Sequence, residues 1–123
     1  TDVTGFGLLG HSCEMAEGSG VAIEYEVSQF RFIEEAIELA KEGLLPEGMY
    51  RNRAFAECRV DPGEAELWQQ DLLYDPQTSG GLLMAVDPED VDALLRELEG
   101  KVPAAQRIGR AVEHDGGAYI RLR

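Results

Sequence analysis

Apolar residues recur with two different periods in the first part of the chain. Between residues 7 and 17, Leu9, Cys13 and Ala16 fall at helical spacing, which predicts a helix that stops at Gly18. The next segment, "VAIEYEV" at residues 21–27, alternates strictly between apolar and polar positions. This alternation predicts a strand with one buried face and a second face, carrying the glutamates, that meets water.

A second amphipathic pattern predicts a helix from Gln29 to about Gly43, with Ser28 as its N-cap and Pro46 beyond its end. Breakers interrupt residues 46–66, so we expect a loop there, with a short helix near Glu64–Gln70. The apolar positions of the long helix form one predicted buried stripe: Phe30, Ile33, Ala36, Ile37, Ala40 and Leu44.

The last third of the chain predicts a central strand, a helix and a hairpin. The run "LLMAV" at Leu82–Val86 is apolar on both faces, which is typical of a central strand. Asp87 and Pro88 then begin a helix that closes at Gly100, and its buried stripe is Val91, Leu94, Leu95 and Leu98. Residues 107–114 and 118–123 flank "DGG", a hairpin signal.

These elements follow one another as helix, strand, helix, loop, strand, helix, strand, strand. Such an order indicates an α+β domain, a mixed β-sheet with helices packed on it. The 123 residues correspond to one domain by size. "TDVTGFG" at the start has the form of a strand end that turns into a helix, the place where ligands gather in such sheets.

Charge and cysteine content limit the classes of partner. Eleven Lys and Arg against 24 Asp and Glu give a net charge of −13, which would repel nucleic acid and anionic membrane surfaces. A phosphorylated ligand would need a metal cation or a more basic partner beside it. Cys13 and Cys58 form neither a disulfide framework nor a metal-ligand spacing, and no signal or membrane-spanning segment is evident. We therefore expect a cytoplasmic location.

Asp2 is the first candidate for site chemistry. Its carboxylate is a suitable Mg²⁺ ligand, and the backbone N–H groups near Gly5 and Gly7 could approach a phosphate at the start of a helix. The alternative is structural, because Asp2 or Thr4 would also serve as a cap of that helix. Composition and spacing leave both interpretations open.

"DPQTSGG" at residues 75–81 is the second candidate. Asp75 and Pro76 read as a turn start, and Gly80 and Gly81 would allow positive φ. The segment fits either a plain turn or an anion-binding nest formed by Thr78, Ser79 and the two glycines, but it lacks the lysine and helix of a Walker A loop.

The histidines and cysteines carry weaker signals. We expect His11 to pack on its helix and His114 to be exposed to solvent, since neither has partners at the spacing of a triad or metal site. Cys13 falls on an apolar stripe and is expected to be a core residue. Cys58 lies in the loop without an activating base.

Three segments together resemble selenophosphate synthetase (selenide, water dikinase). They are "TDVTGFGLLGH" at residues 1–11, "RN" at Arg51 and Asn52, and "YDPQTSGGLLMAV" at residues 74–86. The resemblance covers essentially the whole chain and is to the family's carboxyl-terminal domain, which is like that of aminoimidazole ribonucleotide synthetase. That synthetase and the hydrogenase maturation proteins share the domain layout but have different sequences in these three segments.

The resemblance implies that residues 1–123 are the carboxyl-terminal half of a two-domain ATP-dependent enzyme, without its amino-terminal catalytic half. The family makes selenophosphate, AMP and orthophosphate from selenide, ATP and water. Asp2 matches an aspartate that binds Mg²⁺ together with aspartates of the amino-terminal domain. The residues expected to face the ATP phosphates are Thr4, Gly5, Gly7, Thr78, Ser79 and Gly80.

The resemblance also implies what this chain lacks. The family's reactive Cys or selenocysteine and its essential Lys lie in an amino-terminal segment, so Cys13, Cys58 and Lys41 do not take those roles and no catalytic residue is expected here. The partners implied are the chain's own amino-terminal domain, ATP, selenide and, in the full-length enzyme, a second copy in a homodimer. We expect the chain alone to be inactive. The alternatives are a non-catalytic scaffold or dimerisation domain, and the same domain of a related ATP-dependent synthetase or kinase.

Overall fold

The structure is a computed structural model that describes residues 1–123. The chain forms five helices and four strands, with short 3₁₀ turns at Val27–Gln29 and Glu57–Arg59. In chain order the elements are α1 (Gly7–Ser19), β1 (Val21–Tyr25), α2 (Glu34–Lys41), α3 (Glu47–Ala56), β2 (Val60–Asp61), α4 (Leu67–Tyr74), α5 (Val91–Leu98), β3 (Gly109–Glu113) and β4 (Ile120–Leu122). No helix is both long enough and apolar enough to cross a membrane.

The four strands form one mixed sheet in the order β2-β4-β1-β3. β1 pairs antiparallel with β3 and parallel with β4, and β2 pairs parallel with β4. The predicted α+β fold with a mixed sheet is therefore confirmed. The predicted terminal hairpin is wrong, because β1 lies between β3 and β4.

The properties of β1 explain why it separates the last two strands. Ala22 and Ile23 are both buried, so consecutive residues of β1 are covered on opposite faces of the sheet. Glu24 also lies between two basic residues, accepting hydrogen bonds from Arg110 of β3 and lying 3.6 Å from Arg121 of β4. The Glu24 carboxylate, which the sequence predicts to face water, thus pairs with an arginine of each neighbouring strand.

The core lies between the sheet and three helices, α1, α3 and α4. The predicted first helix is confirmed, but it ends at Ser19, with Gly20 in the left-handed conformation that closes it. The predicted strand is confirmed over Val21–Tyr25 and ends two residues earlier than expected. Its predicted water-exposed face is wrong, because Ala22, on the same face as Glu24, is fully buried. Residues with no exposed surface in this core include Leu9, Cys13, Ala16, Met49, Ala56, Ile120 and Leu122.

The helix predicted from Gln29 begins five residues later, at Glu34, without Ser28 as its cap. Residues 30–33 are not helical, and the ring of Phe30 lies 5.6 Å from that of Tyr25 while Phe32 meets Trp68 edge-on at 5.6 Å. These aromatic contacts compete successfully with helix formation. The predicted buried stripe is also wrong, since Ala40 is the only buried residue of α2.

Residues 46–66 are more ordered than the sequence suggests. They contain α3, which was predicted as loop, and the short strand β2. The buried positions of α3 are Met49, Asn52 and Ala56, which are spaced three and four residues apart, but the polar member hides the pattern. The short helix predicted near Glu64–Gln70 is present as α4, and the Gln69 side chain accepts the N–H of Glu66 at its start.

The strand predicted at Leu82–Val86 is wrong. Only an isolated bridge between Asp2 and Leu82 forms there, and the run is not buried on both faces. The predicted third helix is confirmed as α5 but begins at Val91, because the Asp87 carboxylate accepts the N–H of Glu89 and forms a turn first. Its apolar stripe is half-buried, with no fully buried residue.

Candidate functional site

The two glycine-containing candidate segments lie side by side as a short antiparallel ribbon. The nitrogen of Thr1 donates to the carbonyl of Leu83, and the N–H of Leu83 donates back to Thr1, both at 2.9 Å. The N–H of Val3 donates to Gly81 at 2.9 Å. Residues more than 70 positions apart in the sequence are thereby held in one place, which we call the glycine ribbon (residues 1–5 and 77–83).

One face of the glycine ribbon is open to solvent, and Leu82 lies on it directly opposite Asp2. Asp2 is exposed and Thr4 half-exposed, while Val3 between them is buried, as expected for alternating directions in extended backbone. Gly80 fits against this backbone only because it has no side chain, since a Cβ there would lie 2.0 Å from the carbonyl oxygen of Val3. Asp2 and Thr4 are thus presented on the same side.

Neither Asp2 nor Thr4 caps α1, so the structural interpretation of these residues is wrong. The N-cap position is Phe6, with no side-chain hydrogen bond to the helix. Gly7 has φ +69°, and a Cβ on it would lie 2.7 Å from the carbonyl carbon and oxygen of Tyr74. Its N–H already donates to the Thr4 carbonyl at 3.0 Å. Gly7 therefore serves close packing, whereas Gly5 has open space around it.

Asn52 connects the two candidate segments from α3. Its amide nitrogen donates to the carbonyl of Gly5 at 2.8 Å and to that of Tyr74 at 2.9 Å. Only 7% of the residue is exposed, so these bonds form largely away from water. The sequence places Asn52 in the "RN" motif but does not indicate its role. Its position between two buried apolar residues of one helix is the signal that could have revealed it.

The second segment offers backbone donors. The N–H groups of Thr78, Ser79 and Gly80 take part in no backbone hydrogen bond, and all three residues are exposed. The expected positive φ is wrong for Gly80 and Gly81. Three consecutive unpaired N–H groups beside an exposed carboxylate are compatible with an anion that carries a cation.

Asp75, at the start of this segment, is half-buried. Its carboxylate accepts a hydrogen bond from the Gln77 amide at 2.9 Å, and the Gln77 N–H donates to Thr4. Burial raises the pKa of Asp75, and the bond from Gln77 only partly opposes that rise. The carboxylate therefore helps to shape the turn.

His11 lies beside the ribbon, as expected for a residue packed on its helix. Its Nε2 is 3.0 Å from the Thr4 hydroxyl oxygen, and its Nδ1 is 3.1 Å from a carboxylate oxygen of Glu14. The sequence did not indicate this chain of contacts. His114 is not fully exposed as expected, because its ring stacks on Tyr119 at 4.2 Å and bonds the Gly117 carbonyl.

The two cysteines are as expected. Cys13 has no exposed surface, and burial raises the pKa of its thiol to about 11, so it is an unreactive core residue. Cys58 is exposed, in the turn after α3.

The glycine ribbon offers a magnesium ion one carboxylate ligand, that of Asp2. Asp2 takes part in no ion pair, and no group of three or more His, Cys, Asp or Glu side chains converges anywhere in the chain. Mg²⁺ is often held by one or two carboxylates together with phosphates and waters. The donor set thus fits a contribution to a shared Mg²⁺ site and does not fit a complete one.

Comparisons with known proteins show the family of the chain. Residues 1–121 match the family model "AIR synthase related protein, C-terminal domain". Proteins named selenide, water dikinase from Clostridioides difficile (strain 630) and Caldanaerobacter subterraneus subsp. tengcongensis are 45% and 47% identical to the chain, each over 98% of it. Selenide, water dikinase 2 from Peptoclostridium acidaminophilum is 45% identical over 98% of the chain.

The chain spans only 35–36% of the length of these relatives. The predicted resemblance to selenophosphate synthetase is confirmed for this part. The chain therefore belongs to the AIR synthase related family, C-terminal domain, and is similar over nearly its whole length to the selenide, water dikinases.

Proposed function

We propose that this chain supplies one side of a Mg²⁺-ATP site in an enzyme that makes selenophosphate, AMP and orthophosphate from selenide, ATP and water. The observation that carries the proposal is the glycine ribbon, which places the unpaired Asp2 carboxylate beside the free N–H groups of Thr78, Ser79 and Gly80. The similarity to selenide, water dikinases supports the choice of reaction.

Asp2 is the residue that would contact the metal. When bound, Mg²⁺ would neutralise phosphate charge and polarise the phosphoryl oxygens. This charge compensation is needed because the chain carries a net charge of −13 and would otherwise repel ATP. Asp2→Asn keeps the shape of the side chain and removes its charge, so it isolates the metal contribution.

The backbone of residues 78–80 would hold phosphate oxygens. Its N–H groups are unpaired and exposed, and backbone donors lose no side-chain entropy when they bind an anion. Gly80 keeps this backbone close to the first segment, and Asn52 fixes the carbonyls that flank both segments. Gly5 has open space around it, whereas Gly7 packs closely against the backbone of Tyr74.

The remaining ligands would come from an amino-terminal domain. One carboxylate does not hold Mg²⁺ securely, and the family description and the coverage of the relatives both support a larger enzyme. We therefore expect this chain alone to be inactive. The proposal also includes a homodimer of the two-domain enzyme and a cytoplasmic location. It assigns the catalytic residues to the amino-terminal domain.

A scaffold or dimerisation domain is the second candidate function, and the same domain of a related ATP-dependent synthetase or kinase is a third. Leu82 in the ribbon and Met84 just after it favour a contact role for this edge, because they are 71% and 50% exposed. A scaffold would need this apolar surface but not the Asp2 charge. The charge is therefore what separates the two functions.

Phosphorus NMR of the two-domain enzyme with ATP, Mg²⁺ and selenide tests the proposal. We expect Asp2→Asn to lower the rate of selenophosphate and AMP formation by about 100-fold, as removal of a charge that stabilises a transferring phosphate does. Asp92→Asn, on the exposed face of α5, is the matched control and should retain the normal rate. A normal rate for Asp2→Asn would make the domain a scaffold. Turnover of another acceptor in place of selenide would assign it to a related enzyme.

A further inference from the structure

Thr4, His11 and Glu14 form a continuous chain of contacts that the proposed reaction does not yet use. The Thr4 hydroxyl lies 3.0 Å from Nε2 of His11, and Nδ1 of His11 lies 3.1 Å from Glu14. We propose that Glu14 and His11 are positioning residues that hold the Thr4 hydroxyl as an acceptor for a water molecule on the Mg²⁺ ion. The inference rests on the proposed function and adds the residues that organise the metal side of the site.

With a neutral His11 ring, the chemistry of the three groups determines the direction of their hydrogen bonds. An ionised carboxylate only accepts, so the proton of a neutral His11 ring must lie on Nδ1, facing Glu14. Nε2 is then an acceptor, and the hydroxyl of Thr4 must donate to it. Glu14 thus determines, through the ring, where the hydroxyl proton of Thr4 points.

A hydroxyl that has donated its only proton can still accept. Thr4 is therefore unable to donate to a phosphate oxygen, but its lone pairs suit a donor such as a metal-bound water. Mg²⁺ retains several of its waters in protein sites, and those waters are strong donors because the ion polarises them. Asp2 lies two residues earlier on the same face of the ribbon.

The surroundings of His11 hold the ring in place. Its side chain is only 13% exposed and lies against Phe6, with ring centroids 5.5 Å apart, while Phe6 stacks on Phe55 of α3. His11 and Glu14 are three residues apart on α1, so the helix keeps them adjacent. The ribbon is thereby divided into a cation side, with Asp2 and Thr4, and a phosphate side at residues 78–80.

Binding of Mn²⁺ to the two-domain enzyme in the presence of a non-hydrolysable ATP analogue tests the inference, with free Mn²⁺ measured by EPR. Mn²⁺ takes the same hard oxygen ligands as Mg²⁺. We expect His11→Phe, which preserves ring packing, to weaken Mn²⁺ binding about fivefold, the loss of one net hydrogen bond. Glu14→Ala should weaken it about threefold. His114→Phe is the matched control and should bind normally.

A double substitution shows whether His11 acts through Thr4. Thr4→Val should weaken binding about fivefold, and adding His11→Phe to it should weaken binding no further. If His11→Phe binds like His114→Phe while Asp2→Asn binds weakly, the inference is wrong and the metal site stands. If Asp2→Asn binds normally, both are wrong. If His11→Phe does not fold, Glu14→Ala, at a half-exposed position, decides in the same way.

Discussion

Asn52 offers the sharpest test of how the two glycine segments are held together. Its amide donates to the carbonyls of Gly5 and Tyr74, and the bond to Tyr74 is buried while the bond to Gly5 is partly open to solvent. In Asn52→Ala, water can therefore replace the bond to Gly5 but not the bond to Tyr74. An unsatisfied buried group costs about 1–3 kcal/mol, so we expect the free energy of unfolding to fall by about 2–3 kcal/mol.

Asn52→Asp changes the chemistry with almost no change in shape. A carboxylate would place an oxygen against two carbonyl oxygens, so we expect a larger loss, about 3–4 kcal/mol at neutral pH. Acid should reduce this loss, because a protonated carboxyl can donate one hydrogen bond. Burial against these carbonyls raises the folded-state pKa of the introduced carboxyl above its unfolded value, so the loss is largest at neutral pH and shrinks as the pH falls through that pKa.

Urea unfolding followed by circular dichroism measures these differences. Arg51→Ala, on the exposed side of the same helix, is the control and should stay within about 0.5 kcal/mol of the unsubstituted chain. The reasoning would be refuted if Asn52→Asp were no more destabilising than Arg51→Ala. A loss for Asn52→Asp that did not shrink in acid would refute the assigned hydrogen-bond direction.

Three further predictions concern thiols, tyrosines and glycines. In the native state iodoacetamide should modify Cys58 and spare the buried Cys13, with mass spectrometry showing a second modification only after unfolding. Burial raises the pKa of Tyr25 to about 12, so its stabilising contribution, present below pH 10, should be lost between pH 10 and 12. Burial raises the pKa of Tyr74 to about 12 as well, so the fall in the free energy of unfolding over this range, measured with urea, should be about 2–3 kcal/mol smaller in Tyr25→Phe than in the unsubstituted chain. Gly80→Ala should lower the melting temperature, because its Cβ would overlap the Val3 carbonyl, whereas Gly81→Ala, with open space and ordinary φ, should not. Equal melting temperatures for the two glycine variants would contradict the close approach of the segments.

The sequence predicts elements well where a single period dominates. α1 and β1 follow from helical spacing and strict alternation, and both occur close to the predicted bounds. α3 was missed because Asn52 is polar yet buried, since it satisfies backbone carbonyls at long range. The run Leu82–Val86 shows the opposite case, since it is apolar but does not form a strand of the sheet. Apolar composition alone does not show whether a segment pairs with the sheet.

The candidate site was predicted in part. The sequence indicates both segments of the ribbon, and the structure shows that they pair, but the hydrogen bonds that join them depend on backbone atoms. The link from Thr4 through His11 to Glu14 was not predicted, because a threonine before a helix carries no recognisable spacing with a histidine on it. The terminal hairpin was predicted wrongly for a similar reason. Glu24 pairs with arginines that lie more than 80 residues away in the sequence, and local patterns do not show such contacts.

A crystal structure of the proposed two-domain enzyme with Mg²⁺ and a non-hydrolysable ATP analogue tests the central claim most directly. The account predicts an Asp2 carboxylate oxygen about 2.0–2.1 Å from a Mg²⁺ ion that also binds the phosphates, with the N–H groups of residues 78–80 directed at phosphate oxygens. A nucleotide bound with all its Mg²⁺ ligands from the amino-terminal domain, and Asp2 left in solvent, would contradict it.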